Sequence, residues 1–422
     1  MKNWPTHARA KALTDIAVGI ESASDKFADA LVGEAAKPIR EAQIEVSRAA
    51  ETFRVASAEA FRLTGEWTAL DHSERSEGVE AIWKPVPIGV CSLITPFNFP
   101  LNLAAHKIAP ALAAGCPFVL KPDPRTPVTT LMLGELLLEC GVPAEAVNIL
   151  VITDEDARDL LVTDDRPRLL SFTGSTAAGW AIRARAGKKK VLLELGGIAP
   201  CIVDAGSDLN HAATRIAAGA FGYAGQSCIS VQRVLVHEQE VDPLRELVVN
   251  AARARTRGDL RDPETTIGPL IEESHARRVE SWIGEATGKG AKLLTGGARD
   301  GDFIEPAVLT DVPGNVRLGC EEVFGPVVVI ERVANFDEAL SRANATRFGL
   351  QAGVFTPSLD HAHRAWNELE FGGVVINNIP TTRIDAMPYG GVKDSGLGRE
   401  GVRWSIEEMT EKRLMVLCGV GR

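Results

Sequence analysis

Three side chains in the sequence could together carry out covalent chemistry on a carbonyl group. Cys228 follows a glycine-rich turn in the stretch GQSCIS, and Glu194 ends an apolar segment in the stretch LELGG. Asn98 lies further upstream, in the stretch PFNFP. Such a reaction requires a nucleophile that adds to the carbonyl, a donor that stabilises the resulting oxyanion, and a base that activates water to release the acid. Cys228 suits the first role, Asn98 the second and Glu194 the third.

Each of these residues also has a structural interpretation. Most cysteines are small buried apolar residues, and an asparagine between prolines commonly shapes a turn. A carboxylate at the end of a strand lies either at the surface or over a cleft. The glycine-rich context of Cys228 lets the backbone approach a substrate closely, and its pairing with Glu194 favours the catalytic interpretation. The backbone N–H of Cys228 is the expected companion of the Asn98 side chain as oxyanion donor.

A strand, a loop and a helix in the stretch LSFTGSTAAG offer a site for a dinucleotide. They place Gly174 and Ser175 at the N-terminus of a helix, which attracts a pyrophosphate. The stretch lacks the GxGxxG fingerprint, and by itself such a glycine turn is usually only a turn. Lys121 ends a strand within reach of an adenosine ribose, and Glu322 suits the hydroxyls of a nicotinamide ribose, with Phe324 beside the ring. The structural alternative for Lys121 is a solvated lysine at the end of a strand, and that for Glu322 is an acidic turn before a strand.

The composition is that of a globular enzyme with two or three domains. The chain has 422 residues, of which 45% are hydrophobic and 24% are charged. Its net charge of −10 argues against nucleic acid or an anionic membrane as a partner, because both require clustered positive charge. The cysteines and histidines show no metal-ligand spacing, so no metal site is expected. With no signal peptide pattern and no bilayer-spanning apolar run, a reducing cytoplasm is expected.

The pattern of apolar segments predicts an α/β fold. Residues 8–64 predict two long helices that are divided near Lys37 and Pro38, and residues 68–86 predict a projecting hairpin. From residue 89 to 195 short apolar strands alternate with helices, and a similar alternation continues to residue 377. Strands separated by helices of this length form parallel sheets with helices on both faces. The segment from Thr410 to Leu417 predicts an edge strand.

Seven sequence blocks together resemble the aldehyde dehydrogenase superfamily. They are PFNFP, LKP, FTGS, LELGG, GQSC, EVFGP and MPYGGVKDSG, in the family's order and spacing, and the resemblance runs from about Ala8 to Val416. It implies a Rossmann-type dinucleotide domain (residues 1–68 and 87–195), an α/β catalytic domain (196–404) and a small β oligomerisation unit (69–86 and 405–422). It also implies NAD or NADP as cofactor, a small-molecule aldehyde as substrate, and a homodimer or homotetramer.

Two features depart from the family pattern. The chain begins later than family members usually do, so we expect either a compact member or a truncated start. Pro124 stands where the family often has a glutamate that binds the adenosine ribose and disfavours the 2′-phosphate of NADP. With Arg125 beside it to attract a phosphate, and with Asp123 adjacent, this segment predicts relaxed use of NAD and NADP.

The substrate prediction depends on Arg383. The tail block and the GQSCIS stretch resemble the branch of lactaldehyde, non-phosphorylating glyceraldehyde-3-phosphate, succinate-semialdehyde and phosphonoaldehyde dehydrogenases. An anionic aldehyde would require a cationic anchor, and the Arg383 guanidinium binds carboxylate or phosphonate in a bidentate manner. The alternative is an ion pair of Arg383 with Asp385 or another local acid. Ser227 and Phe99 are further candidates for substrate contacts. A small polar aldehyde is the first prediction and a short anionic one the second.

Two other functions stay open at the level of the sequence. An acylating dehydrogenase would transfer the thioester to coenzyme A, but Glu194 favours hydrolysis, because that class tends to lack the water-activating glutamate. A catalytically inactive nucleotide-binding scaffold is the other alternative. The joint presence of Cys228, Glu194 and Asn98 disfavours it.

Overall fold

The computed structural model describes Met1 and residues 4–418 of the chain. The strands are β1 (Glu66–Ala69), β2 (Val79–Pro87), β3 (Cys91–Ile94), β4 (Phe118–Lys121), β5 (Val147–Ile149), β6 (Leu169–Thr173), β7 (Lys190–Glu194), β8 (Ala199–Val203), β9 (Val231–His237), β10 (Lys292–Thr295), β11 (Arg299–Asp300), β12 (Phe303–Ile304), β13 (Ala307–Thr310), β14 (Val327–Val333), β15 (Phe348–Gly349), β16 (Gln351–Phe355), β17 (Gly373–Ile376), β18 (Val392–Lys393), β19 (Gly396–Leu397) and β20 (Thr410–Cys418). The helices are α1 (Thr6–Ser22), α2 (Ser24–Ala35), α3 (Ile39–Ala60), α4 (Pro100–Ala114), α5 (Val128–Glu139), α6 (Asp154–Ala157), α7 (Thr176–Arg185), α8 (Leu209–Phe221), α9 (Val241–Arg253), α10 (Glu273–Gly288), α11 (Arg317–Cys320), α12 (Phe336–Asn344), α13 (Leu359–Glu368) and α14 (Val402–Glu408). None of the helices in these residues is long and apolar enough to cross a membrane.

The N-terminal segment forms three helices rather than the two that the sequence predicts. α2 ends at Ala35, Ala36 adopts a left-handed conformation with a φ of 50°, and α3 follows Pro38, so the predicted break near Lys37 is confirmed. A second break falls at Ala23, between α1 and α2. Neither glycine nor proline marks that position, so the usual breaker signals are missing there. α3 packs against α1 and α4.

The first large sheet brings three of the predicted site residues to one edge. Its strand order is β19-β7-β6-β3-β4-β5, and every neighbouring pair is parallel except β19 with β7. β3 and β6 are buried along their whole length, which explains their nearly continuous apolar sequences. Parallel strands end at the same edge of a sheet, and ligands bind there. The ends of β4, β6 and β7 therefore bring Lys121, Gly174 and Glu194 to one side.

The second large sheet positions Cys228. Its strand order is β10-β13-β14-β9-β8-β16-β17, with β10 antiparallel to β13 and the other pairs parallel. The predicted strands β8, β9, β14, β16 and β17 are confirmed, whereas β10, β13 and the helices α8 and α12 were not predicted. α8 begins with a side-chain cap, because Asp208 accepts a hydrogen bond from the His211 N–H at 3.0 Å. Cys228 lies between the end of α8 and the start of β9.

A third sheet consists of β1, β2 and β20. β1 and β2 form the predicted hairpin, and β20 pairs with β2 along its whole length. β20 is an edge strand, as predicted, and exposes apolar side chains such as Leu414 and Met415. Residues 419–422, which the sequence also assigns to the oligomerisation unit, lie outside the described residues.

Candidate active site

One cavity of about 860 Å³ gathers nearly all of the residues that the sequence singles out. Its lining comes from the edge of the first large sheet and from the segments around Cys228 and Arg383. The predicted site residues that line it are Phe99, Asn98, Lys121, Gly174, Ser175, Glu194, Ser227, Cys228, Glu322, Phe324 and Arg383. Pro124 is exposed and does not belong to the lining, although its neighbours Asp123 and Arg125 do.

Cys228 is half-buried at the end of a tight turn. Within that turn Tyr223 and Ala224 have φ values of 46° and 51°, and Gly225 has a φ of 70°. A Cβ on Gly225 would lie 2.1 Å from the carbonyl oxygen of Gly325, so the turn requires glycine there. The Sγ of Cys228 lies 3.3 Å from the Oη of Tyr389. Burial raises the pKa of the Cys228 thiol to about 11, and the hydrogen bond with Tyr389 opposes that rise.

The Asn98 side chain is held against the same turn. It is buried, and its Nδ2 donates a hydrogen bond to the backbone oxygen of Gln226 at 3.0 Å. That bond uses one of the two N–H groups of the amide and leaves the other for a ligand. The amide and the Cys228 thiol are thereby fixed relative to each other, because Gln226 lies two residues before Cys228.

Glu194 presents a carboxylate with an unpaired oxygen. The residue is only 5% exposed, and its Oε2 has no hydrogen-bond partner among the described residues. Burial raises the pKa of Glu194 well above its ordinary value, and repulsion from Glu400 adds to this, while the nearby cations Arg383, Lys107 and Arg399 oppose it. A carboxylate whose pKa is raised in this way is a stronger proton acceptor than an exposed one.

A buried pair behind Glu194 was not predicted as part of the site. Lys107 donates hydrogen bonds from Nζ to the Oγ of Ser171 at 2.7 Å and to the Oε1 of Glu400 at 2.6 Å. Burial works against the ionised form of Glu400, but Lys107 and then Arg383 outweigh it and lower its pKa. Lys107 and Glu400 are 293 positions apart in the chain, so no sequence spacing could have signalled this pair.

Arg383 is held in the cavity by an aromatic face rather than by a carboxylate hydrogen bond. The side chain is 8% exposed, and the guanidinium carbon lies 3.8 Å from the ring centre of Tyr389. Its closest acidic atom is the Oε2 of Glu400, at 3.6 Å from Nη2. Within the described part of the chain, Nε and Nη2 have no hydrogen-bond partner. Of the acids that the sequence left open, Glu400 and not Asp385 is the one near Arg383.

Asp385 belongs to a different cluster. Arg48 binds it through Nε at 3.1 Å and Nη2 at 2.8 Å, and the Nε2 of His106 lies 2.7 Å from its Oδ1. Burial works against its ionised form, but hydrogen bonds from His106 and Arg48 outweigh that effect and lower its pKa. Asp385 is therefore fully engaged by Arg48 and His106 and is not a hydrogen-bond partner of Arg383.

The cofactor candidates line the same cavity as the catalytic candidates. The Oγ of Ser175 accepts a hydrogen bond from the Ala178 N–H at 3.4 Å and caps α7, so the predicted helix N-terminus is present. The Oε1 of Glu322 accepts from the Gly197 N–H at 3.2 Å, and burial raises the pKa of Glu322 to about 7. A Cβ on Gly196 would lie 2.2 Å from the Oε2 of Glu322, so a glycine there allows the carboxylate its close approach.

The residues around Pro124 form a compact charged group. Arg125 binds Asp123 through Nε at 2.8 Å and Nη2 at 2.7 Å, and its guanidinium lies 4.5 Å from the ring centre of Phe97. Burial works against ionisation of Asp123, but the hydrogen bonds from Arg125 outweigh it and lower the pKa. Lys121 forms an ion pair with Asp154 at 2.8 Å. The charges that would face an adenosine ribose are thus already partly paired.

Comparison with known proteins identifies the family. The model of the aldehyde dehydrogenase family matches residues 1–415. The 3-sulfolactaldehyde dehydrogenase of Priestia megaterium is 43% identical over 400 residues, which cover 94% of this chain and 83% of that protein. Aldehyde dehydrogenase 21 from Physcomitrella patens, solved in complex with the reaction product succinate, has a TM-score of 0.97 and 45% identity, covering 100% of this chain and 88% of that one.

A second solved structure supports the same family assignment. The glyceraldehyde-3-phosphate dehydrogenase of Methanocaldococcus jannaschii, complexed with NADP, has a TM-score of 0.94 and 39% identity, covering 99% of this chain and 91% of that one. Match lengths of this size leave no large part of the described fold without a counterpart. The chain therefore belongs to the aldehyde dehydrogenase family, with its α/β fold and its enzyme class, an oxidoreductase that acts on an aldehyde group, as the sequence predicted.

Proposed function

We propose that this enzyme oxidises a small polar or short anionic aldehyde to the carboxylic acid with NAD or NADP, and that an anionic group on the substrate binds Arg383. The observation that carries the substrate proposal is the buried guanidinium of Arg383, which lines the same cavity as Cys228 and whose Nε and Nη2 have no hydrogen-bond partner among the described residues. Glu400 balances part of the charge of Arg383, but buried donors without hydrogen bonds are costly, so a site that keeps them is suited to an anion.

The chain's own residues divide the reaction between them. The Cys228 thiol loses its proton to solvent and its sulfur adds to the carbonyl carbon, while the free N–H of the Asn98 amide stabilises the resulting oxyanion together with the backbone N–H of Cys228. The nicotinamide, when bound, supplies the hydride acceptor. Glu194 then takes a proton from a water molecule that attacks the thioester, and the acid leaves as the Cys228 sulfur departs.

The cofactor candidates in the same cavity suit a dinucleotide. Gly174 and Ser175 at the start of α7 suit a pyrophosphate, because the helix N-terminus presents unpaired N–H groups to an anion. Glu322 suits the nicotinamide ribose hydroxyls with Phe324 beside the ring, and Lys121 suits the adenosine ribose. Membership of the family makes the cofactor NAD or NADP, and the relative from M. jannaschii was solved with NADP.

We expect only a modest preference between NAD and NADP. Pro124 removes a carboxylate that would repel a 2′-phosphate, and the charge of Asp123 is balanced by Arg125. The same pairing occupies Arg125, so strong attraction of the phosphate is not expected either. The measurement is kcat/KM for both cofactors with one aldehyde. A preference for NAD of about a thousandfold, or roughly 4 kcal/mol, would contradict relaxed use.

The substrates and products named for the three relatives described above agree with an anion anchor. Sulfolactaldehyde carries a sulfonate and a hydroxyl group, succinate carries a carboxylate beside the newly formed one, and glyceraldehyde 3-phosphate carries a phosphate. All are small aldehydes or acids with one anionic group at the far end. Phe99 and Ser227 line the cavity beside Cys228 and are proposed to contact the chain between the two ends.

Replacing Arg383 by alanine is expected to raise KM for short anionic aldehydes by about 10- to 100-fold, because a charge-assisted hydrogen bond contributes roughly 1.5–3 kcal/mol. KM for propanal, which has no charge, is expected to stay within about twofold of the original enzyme. Arg383→Lys keeps the charge but loses the planar fork, so it is expected to recover only part of the difference. An equal rise in KM for propanal would contradict the anchor.

The test of the function is a panel of aldehydes assayed with NAD and with NADP, read at the absorbance of the reduced nicotinamide. We expect turnover that does not depend on coenzyme A, because Glu194 provides for hydrolysis. Turnover that requires coenzyme A would favour the acylating alternative. A lack of activity on every aldehyde in the panel, with cofactor binding intact, would favour an inactive scaffold.

The wider organisation is also part of the proposal. The dinucleotide domain would comprise residues 1–68 and 87–195, the catalytic domain 196–404, and the oligomerisation unit 69–86 and 405–422. In the described fold, β19 belongs to the proposed catalytic domain but joins the sheet of the proposed dinucleotide domain. β1 joins the sheet of the proposed oligomerisation unit. We propose a homodimer or homotetramer that uses the exposed edge strand β20, and a cytoplasmic enzyme.

A further inference from the structure

Lys37 is a fully buried lysine that the proposed reaction does not use. It lies between α2 and α3, with none of its side chain exposed, and its Nζ forms an ion pair with the equally buried carboxylate of Glu45. Burial works against the charged form of Lys37 and lowers its pKa, whereas Glu45 opposes that shift. A buried ion pair is weak evidence for stability, because desolvation of both charges offsets their attraction. The contacts of the pair point to a different role.

The Lys37 ammonium contacts the segment that carries the proposed oxyanion donor. Its Nζ donates a hydrogen bond to the backbone oxygen of Asn98 at 2.9 Å. The same nitrogen lies 4.0 Å from the ring centre of Phe99, the next residue, in a cation–π contact. Lys37 thus fixes the main chain at Asn98 and the aromatic ring beside it.

Glu45 holds the other side of the same segment. Its Oε1 accepts hydrogen bonds from the backbone N–H groups of Leu101 at 3.0 Å and Asn102 at 3.1 Å. These are among the first residues of α4, where N–H groups lack partners within the helix. The carboxylate therefore sets where α4 begins, and α4 begins two residues after Asn98.

The ammonium also reaches the turn that leads to Cys228. Its Nζ lies 4.3 Å from the ring centre of Tyr223, whose Oη donates a hydrogen bond to the backbone oxygen of Ala35 at 2.8 Å. Tyr223 begins the left-handed part of that turn, and Gln226 in the same turn accepts the hydrogen bond from the Asn98 amide. One buried cation thus touches both halves of the site, the segment of the oxyanion donor and the turn of the nucleophile.

We propose that Lys37 and Glu45 are positioning residues that set the Asn98 amide at the distance from Cys228 that the oxyanion requires. The inference rests on the proposed role of Asn98. A misplacement of about 1 Å in such a group can lower the rate on the order of 100-fold. A rigid buried pair that holds Asn98 in place therefore preserves the rate of the chemical step. The pair acts through Asn98 and touches no reacting atom.

The test is a double-mutant cycle on steady-state kinetics. Lys37→Met is expected to lower kcat by about 10- to 100-fold with KM for the aldehyde nearly unchanged, because oxyanion stabilisation is gained only in the transition state. Asn98→Ala is expected to lower kcat by about 100-fold or more. In the Asn98→Ala background, Lys37→Met is expected to change kcat by no more than about threefold, because its effect passes through the missing amide.

Several controls separate positioning from damage to the fold. The rate of alkylation of Cys228, followed by mass spectrometry of its peptide, and the affinity for NAD and NADP are expected to stay near those of the original enzyme in Lys37→Met. Lys11→Met removes a lysine that also pairs with an acid, Asp15, but is 76% exposed, and is expected to leave kcat unchanged. If Lys37→Met does not fold because Glu45 is left unpaired, the variant Lys37→Met with Glu45→Gln removes both charges and takes its place in the cycle.

The outcomes distinguish a failure of the positioning role of Lys37 from a failure of the role of Asn98. Equal losses from Lys37→Met in both backgrounds would overturn the positioning role and leave the role of Asn98 intact. An unchanged kcat in Lys37→Met would do the same. Full activity in Asn98→Ala would instead contradict the role of Asn98 as oxyanion donor, on which the inference rests, and would leave aldehyde oxidation itself intact.

Discussion

Replacing Cys228 by alanine is expected to abolish cofactor-linked aldehyde oxidation while NAD and NADP still bind. Without the thiol no covalent adduct forms, and the oxyanion donor has no tetrahedral centre to stabilise. Loss of a catalytic nucleophile commonly lowers kcat by about 10⁴-fold or more, so the remaining rate should fall below the background of the assay. The two measurements are the reduced nicotinamide absorbance with aldehyde, and cofactor titration by tryptophan fluorescence without it.

The matched control for this variant is Cys418→Ala. Cys418 is an exposed free cysteine at the end of β20 and is not part of the cavity lining, so its loss should leave turnover unchanged. Turnover by Cys228→Ala comparable with that of the original enzyme would remove Cys228 as the nucleophile. Loss of cofactor binding in Cys228→Ala would show that the substitution disturbs the cavity as a whole, because the thiol itself is proposed to contact only the aldehyde.

The residues that the sequence could identify are those that stand in short motifs with local physical meaning. Gly174 and Ser175 are recognisable because a strand, a turn and a helix follow each other in the chain, and Glu194 because it ends a strand before two glycines. The parallel arrangement of the first sheet then brings these strand ends together without further information. This logic explains why almost every predicted residue lines one cavity.

The residues that the sequence could not assign to the site act through distant contacts. Lys107 lies on α4, the helix after Asn98, but its partner Glu400 lies 293 positions away, so only the folded chain brings the two together. Tyr389 stands in a block that was recognised, yet its hydroxyl group near Cys228 follows from a turn of the chain that no local pattern encodes. Lys37 was noted only as a helix break, because nothing in a sequence indicates that a lysine will be buried.

Helix and strand predictions failed for a related reason. β10 and β13 are short, and their pairing at the far edge of the second sheet depends on tertiary contacts more than on an apolar run. The break at Ala23 carries no glycine or proline; α1 and α2 on its two sides both pack against α3, a tertiary contact that no breaker signal announces. None of these errors lies in the seven recognised blocks, so they do not alter where the predicted site residues lie.

Replacing Glu194 by glutamine is expected to stop the reaction after hydride transfer. The amide keeps the size of the side chain but cannot accept the proton from water, so the thioester on Cys228 should accumulate. We expect a burst of about one equivalent of reduced cofactor per active site, followed by turnover lowered by about 10²- to 10⁴-fold, the usual contribution of a general base. Rapid mixing with absorbance detection separates the burst from the steady state.

A chemical rescue makes this prediction specific. Hydroxylamine cleaves thioesters without help from a base, so it should restore turnover to Glu194→Gln but not to Cys228→Ala. Glu264→Gln, which changes a glutamate that is 82% exposed in an ion pair with Arg40, is the matched control and should retain full activity. If Glu194→Gln shows neither a burst nor rescue, Glu194 acts before hydride transfer, and the assignment of the base to hydrolysis is wrong.

The pH dependence supplies an independent check on the same residue. Burial, and then the charge of Glu400, raise the pKa of Glu194, and a base must be ionised to act. Hydrolysis in the original enzyme should therefore be lost as the pH falls through that raised pKa and should be fully present above it. The residual hydrolysis in Glu194→Gln should lack this step, since the amide does not titrate. A step at the same pH in both enzymes would assign the titration to another group, such as Glu322, whose pKa burial raises to about 7.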